Sequence, residues 1–281
     1  MLSYRHGFHA GNFADVFKHV LLLRLIEALR RKDKPFCVLD THAGAGRYDL
    51  DSLPAQKNRE FAGGIGRLWD RHGLSAELTA YVEQVRALNP NGRLRYYPGS
   101  PRFARSLLRP GDRLLLSELH STEYPTLKAE FANDRQVAVH HSDGYDALKA
   151  LLPPQERRGL VLLDPSYELK NEFDRLSDAV RTIHRRWASG IIAIWYPILD
   201  RSFSLRWQKT LQDLEIPAIL CVELGLYPYD APRGMNGCGM IVINPPWRFD
   251  EALEPLLAEL LEALRSDGQG QTRLEWLTPA L

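Results

Sequence analysis

The chain has 281 residues, of which 44% are hydrophobic and 25% are charged, which is ordinary for a folded, soluble domain. No apolar run is long enough to span a membrane and the N-terminus lacks a signal-peptide core, so we expect a cytoplasmic protein. The formal net charge of +1 argues against a broad basic coat for nucleic acid. The three cysteines are scattered and form no CxxC pair, so we expect neither a metal site nor a disulfide framework.

Positive charge is nevertheless concentrated locally. Residues 1–35 carry seven Lys or Arg against three acids, and residues 102–113 carry four Arg against one Asp. Such a basic face on a neutral protein can bind phosphates, although solvated helix faces produce the same clusters.

Predicted helices and strands alternate along most of the chain. The first helix covers 12–32, with Asn12 as its cap and Asp15 in its first turn. Strands are predicted over 36–40, 113–118, 136–141, 160–164, 190–196, 218–224 and 239–243. Further helices are predicted over 122–133, 144–152, 171–188, 202–213 and 250–265. This order predicts an α/β sheet with helices on both faces.

Two expectations concern the second half of the chain. The strands over 218–224 and 239–243 are separated by a loop, which predicts an antiparallel pair at one edge of the sheet. The tail after Arg265 is expected to be loose as far as Leu274.

The spacing between the first two strands predicts the domain organisation. More than seventy residues separate Asp40 from Arg113, whereas a βαβ unit needs about 30. We therefore predict an inserted helical subdomain over 52–95. It would separate an N-terminal arm, helix and first strand (1–51) from the remainder of the main domain (96–281).

The first strand ends in a loop of small residues, DTHAGAGRYD. A dinucleotide fingerprint fails because Asp49 stands where a third small residue is required, and a P-loop lacks its Gly-Lys-Ser/Thr. What remains is Asp40-x-x-x-Gly44-x-Gly46, which resembles the first motif of S-adenosylmethionine-dependent methyltransferases. A carboxylate suits a cationic cofactor, and glycine allows a ligand to approach the backbone closely.

Acids also end the next two strands. Glu118 can accept two hydrogen bonds from a ribose diol, and Asp143 can accept one from an adenine amino group, with Gly144 letting the ring lie close. Asp143 is equally suited to cap the following helix.

The stretch LVLLDPSYEL ends the fourth strand at Asp164. It reads either as a turn after a strand or as a pocket for a nitrogen-bearing ring. Asp-Pro-Ser-Tyr resembles the Asp-Pro-Pro-Tyr motif of adenine-N6 methyltransferases, with Ser166 in place of the second proline. In such a motif the Asp164 carboxylate and the Pro165 carbonyl would accept both N–H groups of the amine, and Tyr167 would stack on the base.

The segments MLSYRHGFHAGNFADVFKH, DTHAGAGRYDL and DPSYE together resemble the bacterial 23S ribosomal RNA adenine-N6 methyltransferases of the RlmJ type. The resemblance implies a Rossmann-like class I methyltransferase fold, S-adenosylmethionine as cofactor, 23S rRNA as partner, a monomer, and no metal. It implies that the cofactor or its reacting end is contacted by His19, His42, Ser100, Glu118, Asp143, Gly144 and Asp164. Tyr4 would meet the RNA, with His6 and Lys18 as helpers, although His6 and Lys18 could also belong to a solvated basic helix start.

Three alternatives remain open at this point. A DNA adenine-N6 methyltransferase would use the same motif, but such enzymes usually carry a larger recognition domain. A non-catalytic RNA-binding protein could use the same scaffold. Protein-glutamine methylation is disfavoured because its motif begins with Asn where this chain has Asp164.

Overall fold

A computed structural model describes residues 5–228, 234–265 and 268–279 of the chain. Contacts divide the chain into a first unit, Met1–Gly144, and a second unit, Tyr145–Leu281. Within the described residues, none of the helices has the length and apolarity needed to cross a membrane.

The first unit combines a long helix, three parallel strands and a set of shorter elements. In chain order its elements are the 3-10 helix His6–Phe8, α1 (Phe13–Arg30), β1 (Cys37–Asp40), β2 (Arg47–Asp49), α2 (Leu53–Asn58), the 3-10 helix Glu60–Gly63, α3 (Ile65–Leu68), α4 (Ala76–Ala87), β3 (Tyr96–Pro98), α5 (Ser100–Ser106), β4 (Arg113–Glu118), α6 (Glu123–Glu130) and β5 (Val137–His141).

Helix α1 begins where the sequence predicts. The Asn12 side chain accepts a hydrogen bond from the Asp15 N–H at 2.9 Å, which caps the helix. Thirteen of its 18 residues are buried, and among them are the polar residues Asp15, Lys18 and His19. Because buried polar groups need hydrogen-bond partners, these three residues mark the N-terminal half of the helix as a candidate functional site.

The carboxyl ends of strands β1, β4 and β5 lie at one edge of the first unit. β4 pairs in parallel with both β1 and β5, so Asp40 lies opposite Leu116 and Glu118 lies opposite His141. The carboxyl ends of these strands therefore bring the loops after Asp40 and Glu118 together, as the strand predictions require.

Helices α2, α3 and α4 fall within the interval predicted as an insertion. A short antiparallel pair brackets them, with Asp49 of β2 opposite Tyr96 of β3. Neither strand was predicted from the sequence, because three residues are too few for an alternating pattern. The treatment of 52–95 as a separate subdomain stays a prediction.

The described residues of the second unit form five strands and three complete helices, and α7 (Gly144–Leu151) begins at the last residue of the first unit. The following elements are β6 (Gly159–Leu163), α8 (Glu172–Arg186), β7 (Ile191–Ile198), α9 (Arg201–Gln212), β8 (Ile219–Gly225), β9 (Gly237–Ile243), α10 (Phe249–Leu264) and β10 (Gln271–Thr278). Their order in the sheet is β6-β7-β9-β8-β10, and only β6 and β7 are parallel.

Two expectations about this unit were wrong in part. β8 and β9 form the predicted antiparallel pair, but β10 lies outside β8, so the pair is not at the edge. The tail is not loose up to Leu274, because β10 begins at Gln271 and pairs with β8. The polar residues of β10 give only a weak strand pattern in the sequence, since most of this strand stays at least partly exposed.

A buried group of polar residues, here called the Glu223 cluster, joins the elements of the second unit. It consists of Tyr196, Arg201, Gln208, Glu223 and Arg273. The Glu223 carboxylate accepts from the Tyr196 hydroxyl at 2.6 Å, from Arg201 Nη1 at 2.6 Å and from Gln208 Nε2 at 2.8 Å, and Arg273 Nη1 lies at 3.4 Å. β7, α9, β8 and β10 are thereby tied to one carboxylate.

Candidate active site

Asp40 organises the loop that follows β1. Its carboxylate is buried and accepts from the Ser100 hydroxyl at 2.6 Å and from the His42 N–H at 3.2 Å. Asp40 therefore holds His42 and Ser100, two of the residues predicted to bind the cofactor, next to each other. The Ser100 oxygen keeps lone pairs that can accept a further hydrogen bond.

The backbone conformation of the loop after β1 requires glycine at positions 44 and 46. Gly44 has φ +60° and Gly46 has φ +79°, values that side chains rarely adopt. A Cβ at Gly44 would lie 2.2 Å from the Tyr48 hydroxyl oxygen, which accepts from the Ala45 N–H. The close approach of a ligand to this loop stays a prediction.

Glu118 is a buried carboxylate without a cationic partner. Its Oε2 accepts from the Gly44 N–H at 2.7 Å and its Oε1 accepts from the His120 N–H at 2.6 Å. Burial raises the pKa of Glu118, and these two hydrogen bonds offset only part of that effect. No Lys or Arg of the described residues forms an ion pair with it. The fixed oxygens can still accept hydroxyl donors from a ligand, as predicted for a ribose diol.

Gly144 and Asp143 lie on the same edge. A Cβ at Gly144 would lie 2.2 Å from the Thr41 carbonyl oxygen, so glycine lets the start of α7 pack against the loop after β1. The Ser117 and Ser142 hydroxyls hydrogen-bond at 2.7 Å, which holds the segment before Asp143 to β4. The first unit thus gathers the predicted cofactor residues that follow its three strands.

A second buried group, the Asp15 cluster, consists of His6, Gly11, Asp15 and Lys18. The Asp15 carboxylate meets His6 Nε2 at 2.8 Å, Lys18 Nζ at 2.8 Å and the Gly11 N–H at 2.9 Å. Burial alone would raise the pKa of Asp15, but His6 and Lys18 lower it well below its usual value. Lys18 is only 5% exposed, so its reading as a solvated helix start was wrong. Tyr4, predicted alongside His6 and Lys18, lies outside the described residues.

His19 lies one turn further into α1 and has one nitrogen without a protein partner. His19 Nδ1 is 2.7 Å from the Tyr97 hydroxyl, which is 3.0 Å from the Tyr81 hydroxyl. Its Nε2 is buried and has no hydrogen-bond partner among the described residues. Burial lowers the pKa of His19 well below its usual value, so the imidazole is neutral. A neutral ring with an unpaired nitrogen suits contact with a ligand.

Two of the residues that hold these side chains were not assigned to the site from the sequence. Asp15 was interpreted only as a favourable first-turn charge, although its spacing to Lys18 and His19 places all three on one helix face. Tyr97 is 78 residues from His19 and carries no local signal.

The second unit carries the Asp-Pro-Ser-Tyr motif. Asp164 follows β6, whose last residue Leu163 pairs with Ile194 of β7, and its side chain is half-buried. Tyr167 has φ +57°, a left-handed conformation that is unusual for a residue with a side chain. Its hydroxyl donates to the Trp195 carbonyl, and its ring centroid is 5.1 Å from that of Phe173. The Tyr167 side chain of the motif is therefore anchored to β7 by a hydrogen bond and packed against Phe173 of α8.

The carboxylate of this motif affects the titration of its tyrosine. Burial raises the pKa of Tyr167 well above its usual value, and the charge of Asp164 adds to that effect. Tyr167 therefore stays a neutral aromatic ring with an anchored hydroxyl. Within the described residues, no group of three His, Cys, Asp or Glu side chains could hold a metal ion.

Comparisons with known proteins agree with one another. The family described as "Ribosomal RNA large subunit methyltransferase D, RlmJ" matches residues 33–278. The chain is 47% identical to ribosomal RNA large subunit methyltransferase J of Escherichia coli K12 and 46% identical to that of Haemophilus influenzae, in each case over 99% of this chain and 100% of the relative. A crystal structure of a Legionella pneumophila protein matches with a TM-score of 0.88 and 39% identity, covering 95% of this chain and 98% of that one.

Proposed function

We propose a function from one premise: the chain belongs to the RlmJ family of ribosomal RNA large subunit methyltransferases. The proposed activity is methyl transfer to the ribosomal RNA of the large subunit. The observation that carries it is the 47% identity over essentially the full length of a relative with that name. The α/β, Rossmann-like class I methyltransferase fold implied by the sequence is confirmed.

The proposed methyl donor is S-adenosylmethionine, which supplies an electrophilic methyl carbon on a sulfonium. Residues of the first unit fit such a molecule, since among the described residues the buried Glu118 carboxylate has no cationic partner and the buried His19 Nε2 has no hydrogen-bond partner. Glu118 would accept from the ribose hydroxyls and Asp143 from the adenine amine. The remaining contacts in the proposal come from His19, His42, Ser100, Gly144 and Asp164.

The proposed acceptor is the exocyclic N6 amine of an adenine. This nitrogen is a poor nucleophile because its lone pair is delocalised into the ring. The Asp164 carboxylate and the Pro165 carbonyl would accept its two N–H groups and so free the lone pair, while Tyr167 stacks on the base. Methylation then needs no covalent enzyme intermediate, and Asp164 accepts the proton that the amine loses. Catalysis in this scheme consists of positioning and desolvation.

The finer parts of the proposal concern the RNA. The substrate is 23S rRNA, the enzyme works as a monomer in the cytoplasm, and Tyr4, His6 and Lys18 contact the substrate near the target. An adenine must leave its stack to be methylated, and loops or bulges of structured RNA offer such bases at low cost.

Substitution of Asp164 tests this mechanism. Asp164→Ala should lower methyl transfer to an unmodified 23S rRNA transcript by about 10²- to 10⁴-fold, the range of one acid–base group. Because the side chain mainly serves the amine, donor affinity measured by calorimetry should stay within a few-fold. Asp178→Ala, which removes an exposed acid from α8, is the control and should leave the rate unchanged. Mass spectrometry of the RNA product identifies the methylated atom.

Several results would contradict the proposal. Wild-type turnover by Asp164→Ala would discard the mechanism. A methyl group on another atom of the base would discard N6 as the acceptor. Preferential transfer to DNA would favour the DNA adenine-N6 methyltransferase, and RNA binding without donor binding would favour the non-catalytic RNA-binding protein.

A further inference from the structure

Exposed apolar side chains of the second unit are concentrated in two short segments. The described residues contain seven exposed large hydrophobic side chains. Four of them lie in the segments 169–173 and 199–206, namely Leu169, Leu199, Phe203 and Leu205. These segments follow the ends of β6 and β7, which are parallel neighbours, so they emerge from the same end of the strands as Asp164. An exposed apolar group at this place indicates a binding surface.

An aromatic row connects that surface with the Asp-Pro-Ser-Tyr motif. The ring centroids of Tyr167 and Phe173 are 5.1 Å apart, and those of Phe173 and Phe203 are 4.9 Å apart. Tyr167 and Phe173 are half-buried, whereas Phe203 is 40% exposed. The row therefore runs from Tyr167, which is proposed to stack on the target base, to the solvent-exposed ring of Phe203.

Phe203 is accompanied by the positive charge of Arg206, whose electrostatic effect on the nearby Asp200 is a minor one. The Arg206 guanidinium lies over the Phe203 ring, 5.5 Å from its centroid, and donates to the Ser202 hydroxyl at 3.0 Å. Within the described part of the chain Arg206 forms no ion pair with a carboxylate. The nearby Asp200 is occupied in capping α9, where it accepts from the Phe203 N–H. An exposed ring beside an available guanidinium is the combination that single-stranded nucleic acid binds, by stacking a base and pairing with a phosphate.

We propose that Phe203 and Arg206 form a stacking platform for an unpaired nucleotide that flanks the target adenine in the RNA. This inference rests on the proposed function and adds a substrate contact to it. The base stacks on the exposed part of the Phe203 ring, and Arg206 pairs with a backbone phosphate. Because stacking tolerates any base, the platform holds the strand in place without reading its sequence.

The second unit offers a matched control in Trp247, which is 86% exposed and also precedes an arginine. Arg248 differs from Arg206 because it is paired with Glu251. Trp247 follows β9, whose last residue Ile243 lies opposite Ile192 at the start of β7. It is therefore at the opposite end of the strands from Phe203.

The experiment measures steady-state methylation of an unmodified 23S rRNA transcript, with KM determined separately for RNA and for S-adenosylmethionine. Phe203→Leu keeps the apolar area but removes the ring, and should raise the KM for RNA about tenfold, the size of one stacking contact. Phe203→Tyr should restore the wild-type value. Arg206→Gln should raise the KM for RNA and flatten its dependence on salt. Trp247→Leu should change neither constant, and the KM for the donor should stay constant in all four variants.

The outcomes separate this inference from the proposed function. If the wild-type chain methylates no RNA, the proposed function fails before any variant is compared. If it does, a wild-type KM for Phe203→Leu, or an equal loss in Phe203→Tyr, overturns the platform. A defect that appears with ribosomal particles but not with the free transcript would also overturn it, because the surface would then bind a protein. Melting curves of each variant ensure that the comparison is made between folded proteins.

Discussion

Glu118 in the first unit and Glu223 in the second are both buried carboxylates on strands, yet their surroundings differ. Glu223 is surrounded by two arginines, a tyrosine hydroxyl and a glutamine amide. Burial alone would raise the pKa of Glu223, but its donors lower it below the usual value. Glu118 accepts only two backbone N–H groups, and burial raises its pKa.

The difference separates a structural carboxylate from one that is available to a ligand. The partners of Glu223 come from three elements of the second unit, β7, α9 and β10, so its charge ties them to β8. Glu118 forms no ion pair within the part of the chain that the structure describes, and keeping it ionised in a buried place has a cost in free energy. Such a cost is typical of functional sites, where a ligand supplies the missing donors.

The largest effect is expected from Glu223→Ala. It leaves Arg201 and Arg273 partly buried without their shared carboxylate, and should lower the free energy of unfolding by about 3 kcal/mol in urea denaturation. Methyl transfer per folded molecule should stay near the wild-type rate. Glu275→Ala removes the exposed second partner of Arg273 and should change the free energy of unfolding by less than about 1 kcal/mol. Equal effects of the two substitutions would show that the Glu223 cluster has no special role.

A smaller and different effect is expected from Glu118→Gln. Gln has one acceptor oxygen and no charge, so the affinity for S-adenosylmethionine should fall about tenfold in calorimetry, with the fold intact by circular dichroism. Glu123→Gln is the control, because Glu123 is a neighbouring acid whose charge also raises the pKa of Glu118. If both variants bind the donor equally weakly, the effect comes from general electrostatics and not from a contact with Glu118.

The smallest expected effect is that Glu118 and Glu223 change the free energy of unfolding in opposite directions as the pH falls. The folded-state pKa of Glu118 is raised, so wild type should gain stability relative to Glu118→Gln as the pH falls from 7 through that raised value. The folded-state pKa of Glu223 is lowered, so its contribution is present above the unfolded value and is lost as the pH falls through the lowered one. Wild type should therefore lose stability relative to Glu223→Gln in that lower range. Unfolding free energies measured between pH 7 and pH 3 check both signs, and slopes of the same sign would refute the comparison.

Much of the fold could be read from local patterns. β1, β4 and β6 lie where apolar runs ended by an acid predict them, because a buried parallel strand is almost continuously apolar. β5 also lies where it was predicted, although it is only partly buried. β10 was missed because it is polar and only partly covered, so its stability comes from pairing with β8. β2 and β3 were missed because each has only three residues.

The candidate site was predictable to the extent that its residues follow strands. Asp40, Glu118 and Asp143 each end a strand of the first unit or follow one closely, and parallel pairing places these strand ends at a common edge. In the second unit Asp164 follows β6, which is the parallel neighbour of β7. The residues that hold these acids in place are harder to predict from the sequence. The contacts of Asp40 with Ser100 and of Glu118 with Gly44 join positions 60 and 74 apart.

The sequence by itself determined the order of the longer, apolar elements, the acids that follow the strands and the Asp-Pro-Ser-Tyr motif, because these depend on residues within a few positions of each other. Only the tertiary structure decided that Lys18 is buried against Asp15, that His19 bonds to Tyr97, and that Phe203 extends the row from Tyr167. Burial depends on which distant segments cover a side chain, and periodicity along a helix or strand carries no information about them.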